Sequence, residues 1–327
     1  MVVAVLRGGP SSEYEVSLKS GATVLRHLEQ QPFAEKYQPL DILISRTGTW
    51  HRDGYERSPA RALAGSDVVF NALHGQFGED GRVQKILDDL AVPYTGSRAF
   101  TSALGMNKAL SKELFKRADI KTPYHIVIRR GEDVREKYNH VFHHFLLPFI
   151  VKPASAGSSV GVTMVTKYID FFTALDVALA HSDAALVEEY IHGQEATCAI
   201  VDDFRNQELY ALPPVEIIPP VTSPFFDYQA KYMDGAQAAQ ERCPGNFSVT
   251  QKQEIERVAR AVHQAFGARH YSRTDFLVTP RRGIYVLEIN TLPGLTTTSL
   301  LPKSLAAVGA GLGDFFDHII NLARNGK

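Results

Sequence analysis

Apolar and polar positions alternate most clearly near the C-terminal end of the chain, in two runs near 273–279 and 284–290. The runs flank a short turn at 280–283, so the pattern predicts a β-hairpin. With that turn centred on its two arginines, Asp275 falls directly opposite Glu288. Two carboxylates would then lie roughly 5 Å apart.

The two faces of the predicted hairpin differ in chemistry. The apolar face is assigned to the core and carries Phe276, Val278, Tyr285, Leu287 and Ile289. The polar face carries Arg273, Asp275, Glu288 and Asn290. Like charges opposite each other destabilise a hairpin unless something neutralises them, and carboxylate and amide oxygens suit Mg²⁺. A solvated sheet face is the alternative, but four converging polar groups favour a metal-phosphate site.

The N-terminal third alternates between strand-like and helix-like patterns. Strands are predicted at 2–6, 37–44 and 68–73, with helices at 12–30 and 83–90. This βαβ order predicts a small parallel sheet. The first turn lacks the three-glycine dinucleotide pattern, so no nicotinamide or flavin site is predicted.

The remainder of the chain is richer in β-structure. The predicted helices and strands, in order, are a helix at 104–118, strands at 125–128, 149–152, 161–165, 185–190 and 196–201, a helix at 250–266 and a helix from 312. The charged stretch 129–137 is predicted to be a solvated loop. We predict three domains, at 1–96, 97–192 and 193–327.

Composition sets the class of protein. The 327 residues are 44% hydrophobic and 22% charged with a formal net charge of -1, as in an ordinary soluble globular protein without a broad basic surface for nucleic acid or membrane. The two cysteines, Cys198 and Cys243, suggest neither a disulfide framework nor a zinc site. No targeting or membrane-spanning segment is recognised, so a cytoplasmic location is expected.

Several loops carry candidate chemistry beside a plainer alternative. Lys152 ends a strand before a loop of small residues that could approach a phosphate, or that could be a simple Gly/Ser hairpin. Glu188 and Glu195 could meet a base and a ribose, or be surface acids at a strand end. His74 ends a predicted parallel strand, where such sheets bind ligands, although a lone His is more often structural.

Two further segments also leave both interpretations open. Ser12 and Glu15 have capping-box spacing, while Glu15 could instead bind a substrate ammonium group. Lys231 and Tyr232 lie in a long, weakly structured stretch that could be a lid or an exposed loop. Glu79 is assigned as an acid at a helix start, where it favours the dipole.

Six segments, taken in this order, resemble motifs of the D-alanine-D-alanine ligase family of the ATP-grasp superfamily, and they span essentially the whole chain. They are Gly8-Gly9 with Ser11-Ser-Glu-Tyr-Glu-Val-Ser-Leu18, Leu73-His-Gly75 with Gly78-Glu-Asp-Gly81, Lys152-Pro-Ala-Ser-Ala-Gly-Ser-Ser-Val-Gly161, Asp227-Tyr-Gln-Ala-Lys-Tyr232, Ser272-Arg-Thr-Asp275 and Glu288-Ile-Asn-Thr-Leu-Pro-Gly294. The resemblance implies an α/β protein, α+β in its ATP-binding part, with an ATP-grasp fold and an N-terminal parallel-sheet domain.

The resemblance also implies a two-step reaction. The carboxylate of one D-alanine attacks the γ-phosphate of ATP, and the amine of a second D-alanine attacks the resulting acyl phosphate. Two Mg²⁺ ions, with Mn²⁺ as a substitute, would be held by Asp275, Glu288 and Asn290. A homodimer is expected only because relatives of this kind form one.

Residue roles are implied by the same resemblance. Lys108, Lys152 and Lys231 would bind phosphates, Glu188 adenine and Glu195 ribose. The residues implied around the amino acids are Glu15, Ser158 and Tyr232 at the first ammonium and lid, His74 beside them, Arg273 and Gly294 at the tetrahedral intermediate, and Ser299 and Leu300 at the second carboxylate.

Three alternatives stay open. A ligase joining D-alanine to D-lactate or D-serine is the nearest, although Tyr232 favours the dipeptide because ester-forming relatives commonly lack it. The others are an ATP-grasp carboxylate-amine ligase for larger substrates and a non-catalytic nucleotide-binding module. The intact set of Arg273, Asp275, Glu288 and Asn290 argues against the last of these.

Overall fold

The computed structural model describes residues 1–155, 160–219 and 239–326, and these residues form three β-sheets. The strands are β1 (Val2–Gly8), β2 (Gln38–Ile44), β3 (Trp50–Arg52), β4 (Tyr55–Arg57), β5 (Val68–Asn71), β6 (His125–Arg129), β7 (Phe149–Pro153), β8 (Thr163–Val165), β9 (Ala184–Glu189), β10 (Gln194–Phe204), β11 (Gln207–Ala211), β12 (Val215–Ile218), β13 (Gln240–Arg242), β14 (Tyr271–Thr279) and β15 (Gly283–Asn290).

Helices cover these sheets. The α-helices are α1 (Tyr14–Leu28), α2 (Pro59–Ala62), α3 (Arg82–Asp89), α4 (Ala99–Met106), α5 (Lys108–Arg117), α6 (Val134–His144), α7 (Phe171–Leu179), α8 (Val249–Phe266), α9 (Leu300–Ala307) and α10 (Leu312–Arg324), and short 3₁₀ turns span Phe33–Glu35 and Tyr168–Asp170. No helix within the described ranges is both long and apolar enough to cross a bilayer.

The first sheet has the strand order β4-β3-β2-β1-β5. Its centre is parallel, because β1 pairs in parallel with β2 and with β5, which confirms the βαβ prediction. The antiparallel extension through β3 and β4 was not predicted. Its core is closed by the last helix, since Phe315 and Phe316 of α10 join Val3, Val5 and Phe70 in one buried cluster.

The second sheet is antiparallel, with the order β6-β9-β7-β8. Its apolar side packs against α6 and α7 through Val141, Phe171 and Leu175. The prediction of a loop at 129–137 is wrong in its second half, because α6 begins at Val134. The Asp133 side chain accepts hydrogen bonds from the first free backbone N–H groups of that helix, which stabilises its start.

The third sheet has the order β13-β12-β10-β14-β15, and β11 pairs with the other part of β10. The helices α5 and α8 pack on its apolar side through Phe115, Ile255 and Phe266. The single helix predicted at 104–118 is wrong, since α4 and α5 are separate and meet at Asn107. The Asn107 side chain caps α5 by accepting from the Leu110 N–H at 3.1 Å, so Lys108 begins a new helix.

The hairpin of β14 and β15 has the predicted pairing at its open end. Asp275 pairs with Glu288 and Arg273 with Asn290, but the register shifts between Asp275 and Phe276. Phe276 therefore pairs with Val286, and one extra residue of β15 lies in a β-bulge.

In the part of β15 next to the turn, the bulge exchanges the residues that face the core with those that face away from it. Val286 lies in the core beside Phe276, with Ile284 packed against the same cluster. Leu287 lines a cavity on the opposite face, and Tyr285 is not in the core cluster. The prediction that Leu287 faces the core is wrong, because it assumed unbroken alternation, whereas Tyr285 is buried as predicted although it lies outside that cluster.

Each sheet lies within one of the three predicted domain ranges, but helices cross between them. Although α4 and α5 precede the second sheet in the chain, they pack on the third, and α10 packs on the first. The domain boundaries at 96 and 192 stay a prediction.

Candidate active site

Two adjoining cavities line the polar side of the third sheet. The first, of about 600 Å³, lies between the second and third sheets, and the second, of about 350 Å³, lies against the first sheet and the start of α1. Both are lined by Lys108, Ile217, Asp275 and Glu288. The open end of the hairpin thus forms a common wall.

The paired carboxylates on this wall are neutralised by different cations. The Arg273 guanidinium donates to both oxygens of Asp275, each at 2.8 Å, and the Lys108 Nζ lies 3.1 Å from Glu288 Oε2. Asn290 Nδ2 also donates to Asp275 Oδ2 at 3.1 Å. Burial alone would lower the pKa of Arg273, but the Asp275 carboxylate outweighs burial and raises it. The like-charge repulsion is therefore compensated within the protein.

The end of β7 pairs with β9 at the wall of the first cavity, which both Lys152 and Glu188 line. Lys152 Nζ lies 2.8 Å from Glu188 Oε2, and Lys112 Nζ lies 2.9 Å from Glu188 Oε1. Burial would raise the pKa of Glu188, but the two lysines hold it at about 2. The sequence did not point to Lys112, although its spacing of four from Lys108 on one helix places both lysines on the same side.

Glu195 and Glu216 add two more carboxylates to the lining of the first cavity. Glu195 lies near the start of β10, while Glu216 on β12 is buried and accepts from the Asn246 N–H at 3.0 Å. Glu216 was not predicted, because no strand was predicted at 215–218 and the residue belongs to none of the recognised motifs.

His74 follows β5 and lines the second cavity, where its side chain is only 4% exposed. Its Nε2 lies 2.8 Å from Ser20 Oγ, and its Nδ1 lies 3.1 Å from the Leu292 carbonyl oxygen and 3.8 Å from Glu79 Oε1. Burial alone would lower the pKa of His74, but Glu79 raises it. Glu79 also lines the second cavity. Its assignment as an acid at a helix start is wrong, because α3 begins only at Arg82.

Glu15 lies elsewhere than predicted. Its carboxylate is 68% exposed and pairs with Arg46 at 2.7 Å, outside both cavities. The capping-box interpretation is also wrong, because α1 begins at Tyr14 without a side-chain cap. Glu13, at the N-cap position, lines the second cavity instead. Both glutamates belong to the same motif, on either side of Tyr14. Which of them faces the cavity depends on where α1 begins.

Glu13 lies next to the loop after β5. Gly75 has a φ of +70°, and a Cβ there would lie 3.2 Å from Glu13 Oε1 and 2.5 Å from Ser11 Oγ. A side chain at Gly75 would therefore require the Ser11 and Glu13 side chains to move.

The loop between β15 and α9 completes the second cavity with Gly294 and Ser299, together with Leu300 at the start of α9. Ser299 Oγ lies 2.7 Å from Thr296 Oγ1, and a Cβ at Gly294 would lie 2.8 Å from Ser299 Oγ. A larger residue at position 294 would therefore require the Ser299 side chain to move.

Three predicted site residues, Ser158, Lys231 and Tyr232, lie outside the described residues. Within residues 1–155, 160–219 and 239–326, no group of three or more His, Cys, Asp or Glu side chains has the geometry of a metal site. The predicted magnesium set differs from such a group because it combines two carboxylates with the amide of Asn290.

A cavity between two antiparallel sheets, bordered by lysines and by an acidic hairpin end, is the arrangement of an ATP-grasp protein. Family models described as "D-ala D-ala ligase N-terminus" and "D-ala D-ala ligase C-terminus" match residues 2–63 with 53–97 and residues 114–321. The chain belongs to the D-alanine-D-alanine ligase family.

Individual relatives agree with this. The chain is 38% identical to a D-alanine--D-alanine ligase of Syntrophobacter fumaroxidans, covering 99% of this chain and 97% of the relative. Its structure is similar to that of the D-alanine-D-alanine ligase from Coxiella burnetii, with a TM-score of 0.85, 26% identity and coverage of 99% and 94%. It is also similar to VanG D-Ala:D-Ser ligase from Enterococcus faecalis, with a TM-score of 0.84, 28% identity and coverage of 98% and 99%.

Proposed function

We propose that this protein joins two D-alanine molecules in an ATP-dependent reaction that yields D-alanyl-D-alanine, ADP and phosphate for peptidoglycan synthesis. The observation that carries the proposal is the wall of Lys108, Asp275 and Glu288 shared by the two cavities. A phosphoryl group at this wall can be reached from a nucleotide on one side and from an amino acid on the other.

ATP occupies the first cavity. Lys152 and Lys108 face its phosphates, Glu188 accepts from the adenine amino group, and Glu195 meets the ribose. Leu287, turned to this side by the bulge, packs against the base. The volume of about 600 Å³ lies in the range typical of small-molecule sites.

The metal site lies on the shared wall. Asp275, Glu288 and Asn290 supply the hard oxygen ligands that Mg²⁺ prefers. The ion pairs of Asp275 with Arg273 and of Glu288 with Lys108 support the placement of cations on this face. We assign two Mg²⁺ ions to these three residues, with Mn²⁺ as a substitute. When bound, such ions neutralise charge on the phosphates during transfer.

The first D-alanine binds in the second cavity. Glu13, rather than Glu15, faces its ammonium group, and His74 lies beside it. Its carboxylate oxygen attacks the γ-phosphorus of ATP, ADP leaves, and an acyl phosphate forms.

The second D-alanine binds against Ser299 and Leu300 through its carboxylate. Its neutral amine attacks the acyl carbon, a proton is released, and phosphate leaves as the amide bond forms. Arg273 and the Gly294 backbone N–H stabilise the negative charge on the tetrahedral oxygen. The roles of Ser158, Lys231 and Tyr232 in closing the site remain a prediction.

A quantitative assay tests the proposal. The purified protein is incubated with ATP, Mg²⁺ and D-alanine, ADP release is followed, and the product is identified by mass spectrometry. We expect stoichiometric D-alanyl-D-alanine and ADP. ATP-dependent ADP release without an amide product would contradict the proposal.

The similarity to a D-Ala:D-Ser ligase makes D-serine the informative competitor. With D-alanine, D-serine and D-lactate present together at equal concentrations, we expect the D-alanine dipeptide to dominate at neutral pH. A dominant mixed product would assign the protein to the alternative specificity. A cytoplasmic location and a homodimer are part of the proposal, and sedimentation of the purified protein checks the second.

A further inference from the structure

Lys112 is a fully buried lysine that lines neither of the two cavities described above. Its side chain is 0% exposed, its Nζ lies 2.9 Å from Glu188 Oε1, and it donates to Thr122 Oγ1 at 2.6 Å. Burying an ammonium group costs free energy unless it is paired and hydrogen-bonded. The buried position of Lys112 therefore points to a role for its charge rather than for apolar packing.

The Thr122 hydroxyl is oriented to accept a hydrogen bond from Lys112. The Thr122 hydroxyl donates its own proton to the Val286 carbonyl oxygen at 2.9 Å, so its lone pairs face Lys112. The ammonium group is thus held by three elements: α5 carries it, β9 carries Glu188, and β15 fixes Thr122.

One carboxylate serves two lysines. Glu188 binds Lys112 through one oxygen and Lys152 through the other at 2.8 Å, so the buried group of three carries a net charge of +1. Burial lowers the pKa of Lys112 to about 8, which leaves the group mostly protonated at neutral pH. Only Lys152 of the two lysines lines the first cavity.

Sharing Glu188 changes what Lys152 can do. Without Lys112, Glu188 and Lys152 would form a neutral one-to-one pair, and an anion approaching Lys152 would compete with the whole carboxylate. With Lys112 present, part of the carboxylate charge is already neutralised, and Lys152 keeps positive charge directed at the cavity.

We propose that Lys112 is a positioning residue for nucleotide binding, which acts through Glu188 to keep Lys152 available to the phosphates of ATP. The inference rests on the proposed function in one respect, namely that Lys152 and Glu188 face the nucleotide. It assigns no contact between Lys112 and any substrate.

The test compares Lys112→Met with Lys116→Met, an exposed lysine one turn further along α5. For Lys112→Met we expect the KM for ATP to rise about tenfold, while the KM for D-alanine and kcat at saturating ATP change less than about twofold. Lys116→Met is expected to leave all three values unchanged. A general structural defect would instead lower kcat and affect both substrates.

A double-mutant cycle with Glu188→Gln separates action through Glu188 from a direct effect of charge. If Lys112 acts through Glu188, Lys112→Met adds less than about a twofold increase in the KM for ATP once Glu188→Gln is present. An additional tenfold increase in that background overturns the proposal, because Lys112 would then act without Glu188.

Two further variants keep the result decisive. Thr122→Val removes the oriented acceptor without removing charge, and we expect the KM for ATP to rise about threefold; if Lys112→Met does not fold, an unchanged KM for Thr122→Val overturns the inference. Lys152→Met tests the underlying placement. An unchanged KM for ATP in Lys152→Met refutes the nucleotide site itself, whereas a raised value there with no change in Lys112→Met refutes only the inference.

Discussion

Asp275 lies directly opposite Glu288 across β14 and β15, and each carboxylate is paired with its own cation, Arg273 for the first and Lys108 for the second. The pair forms part of the wall between the two cavities. This relationship connects the antiparallel register to the chemistry, because a shift of one residue would turn one of the carboxylates to the core side.

Replacing Asp275 by Asn tests the chemical importance of this pair. Asn keeps the shape but removes the charge that Arg273 and a metal ion both need, so we expect kcat to fall about a hundredfold or more. ADP release is measured over a Mg²⁺ titration, with circular dichroism as the control for folding. Full activity of a folded Asp275→Asn protein would contradict the proposed metal role.

Glu13 and Glu15 form a matched pair of variants. Glu13→Gln is expected to raise the KM for D-alanine about tenfold or more, because a charge-assisted contact to the substrate ammonium group is lost. Glu15→Gln removes only an exposed ion pair with Arg46 and should leave the KM within about twofold. The measurement is the D-alanine dependence of ADP release, and the reverse order of effects would restore the original assignment of Glu15.

The bulge in β15 predicts opposite outcomes for two adjacent residues. Val286→Ala creates a cavity in the core and should lower the free energy of unfolding by about 2 kcal/mol, with little change in the KM for ATP. Leu287→Ala should instead raise the KM for ATP about threefold and leave stability nearly unchanged, since Leu287 lines the first cavity. Urea unfolding and ATP kinetics on both variants check this, and equal effects on both properties would argue against the bulge.

Glu188 predicts a specific acid sensitivity. Its pKa in the folded protein is about 2, against an ordinary value of 4.5, because Lys112 and Lys152 outweigh the effect of burial. The unfolded chain therefore binds this proton first as pH falls. The stabilisation is fully present above pH 4.5 and is lost as the pH falls toward 2.

The expected size is about 2 kcal/mol of stability lost through this group between pH 6 and pH 3. Glu188→Gln lowers stability at every pH but should make its pH dependence shallower by about that amount. Urea unfolding of both proteins at several pH values measures the difference in slope. Parallel curves would show that Glu188 does not titrate with a depressed pKa.

Much of the fold was predictable from local pattern. The strands and helix of the βαβ start, the helix ending at Phe266 and the helix from Leu312 follow from apolar periods that extend over many residues. Short strands such as Trp50–Arg52 and Gln240–Arg242 were missed, because three residues carry too little periodicity. The break at Asn107 was missed because the apolar pattern continues across it.

The sequence by itself determined the family, the order of the strands and helices that it did predict, and the pairing of Asp275 with Glu288, because motif spacing and alternation are properties of neighbouring residues. Only the tertiary structure decided which of two glutamates, Glu13 or Glu15, faces the cavity, since that depends on where α1 begins. It also decided that Leu287 faces the cavity and that Lys112 and Lys152 share Glu188. The last two relationships arise from a one-residue bulge and from the packing of α5 on the third sheet, where Lys112 reaches Glu188 of β9. Neither follows from the local pattern of charge and hydrophobicity.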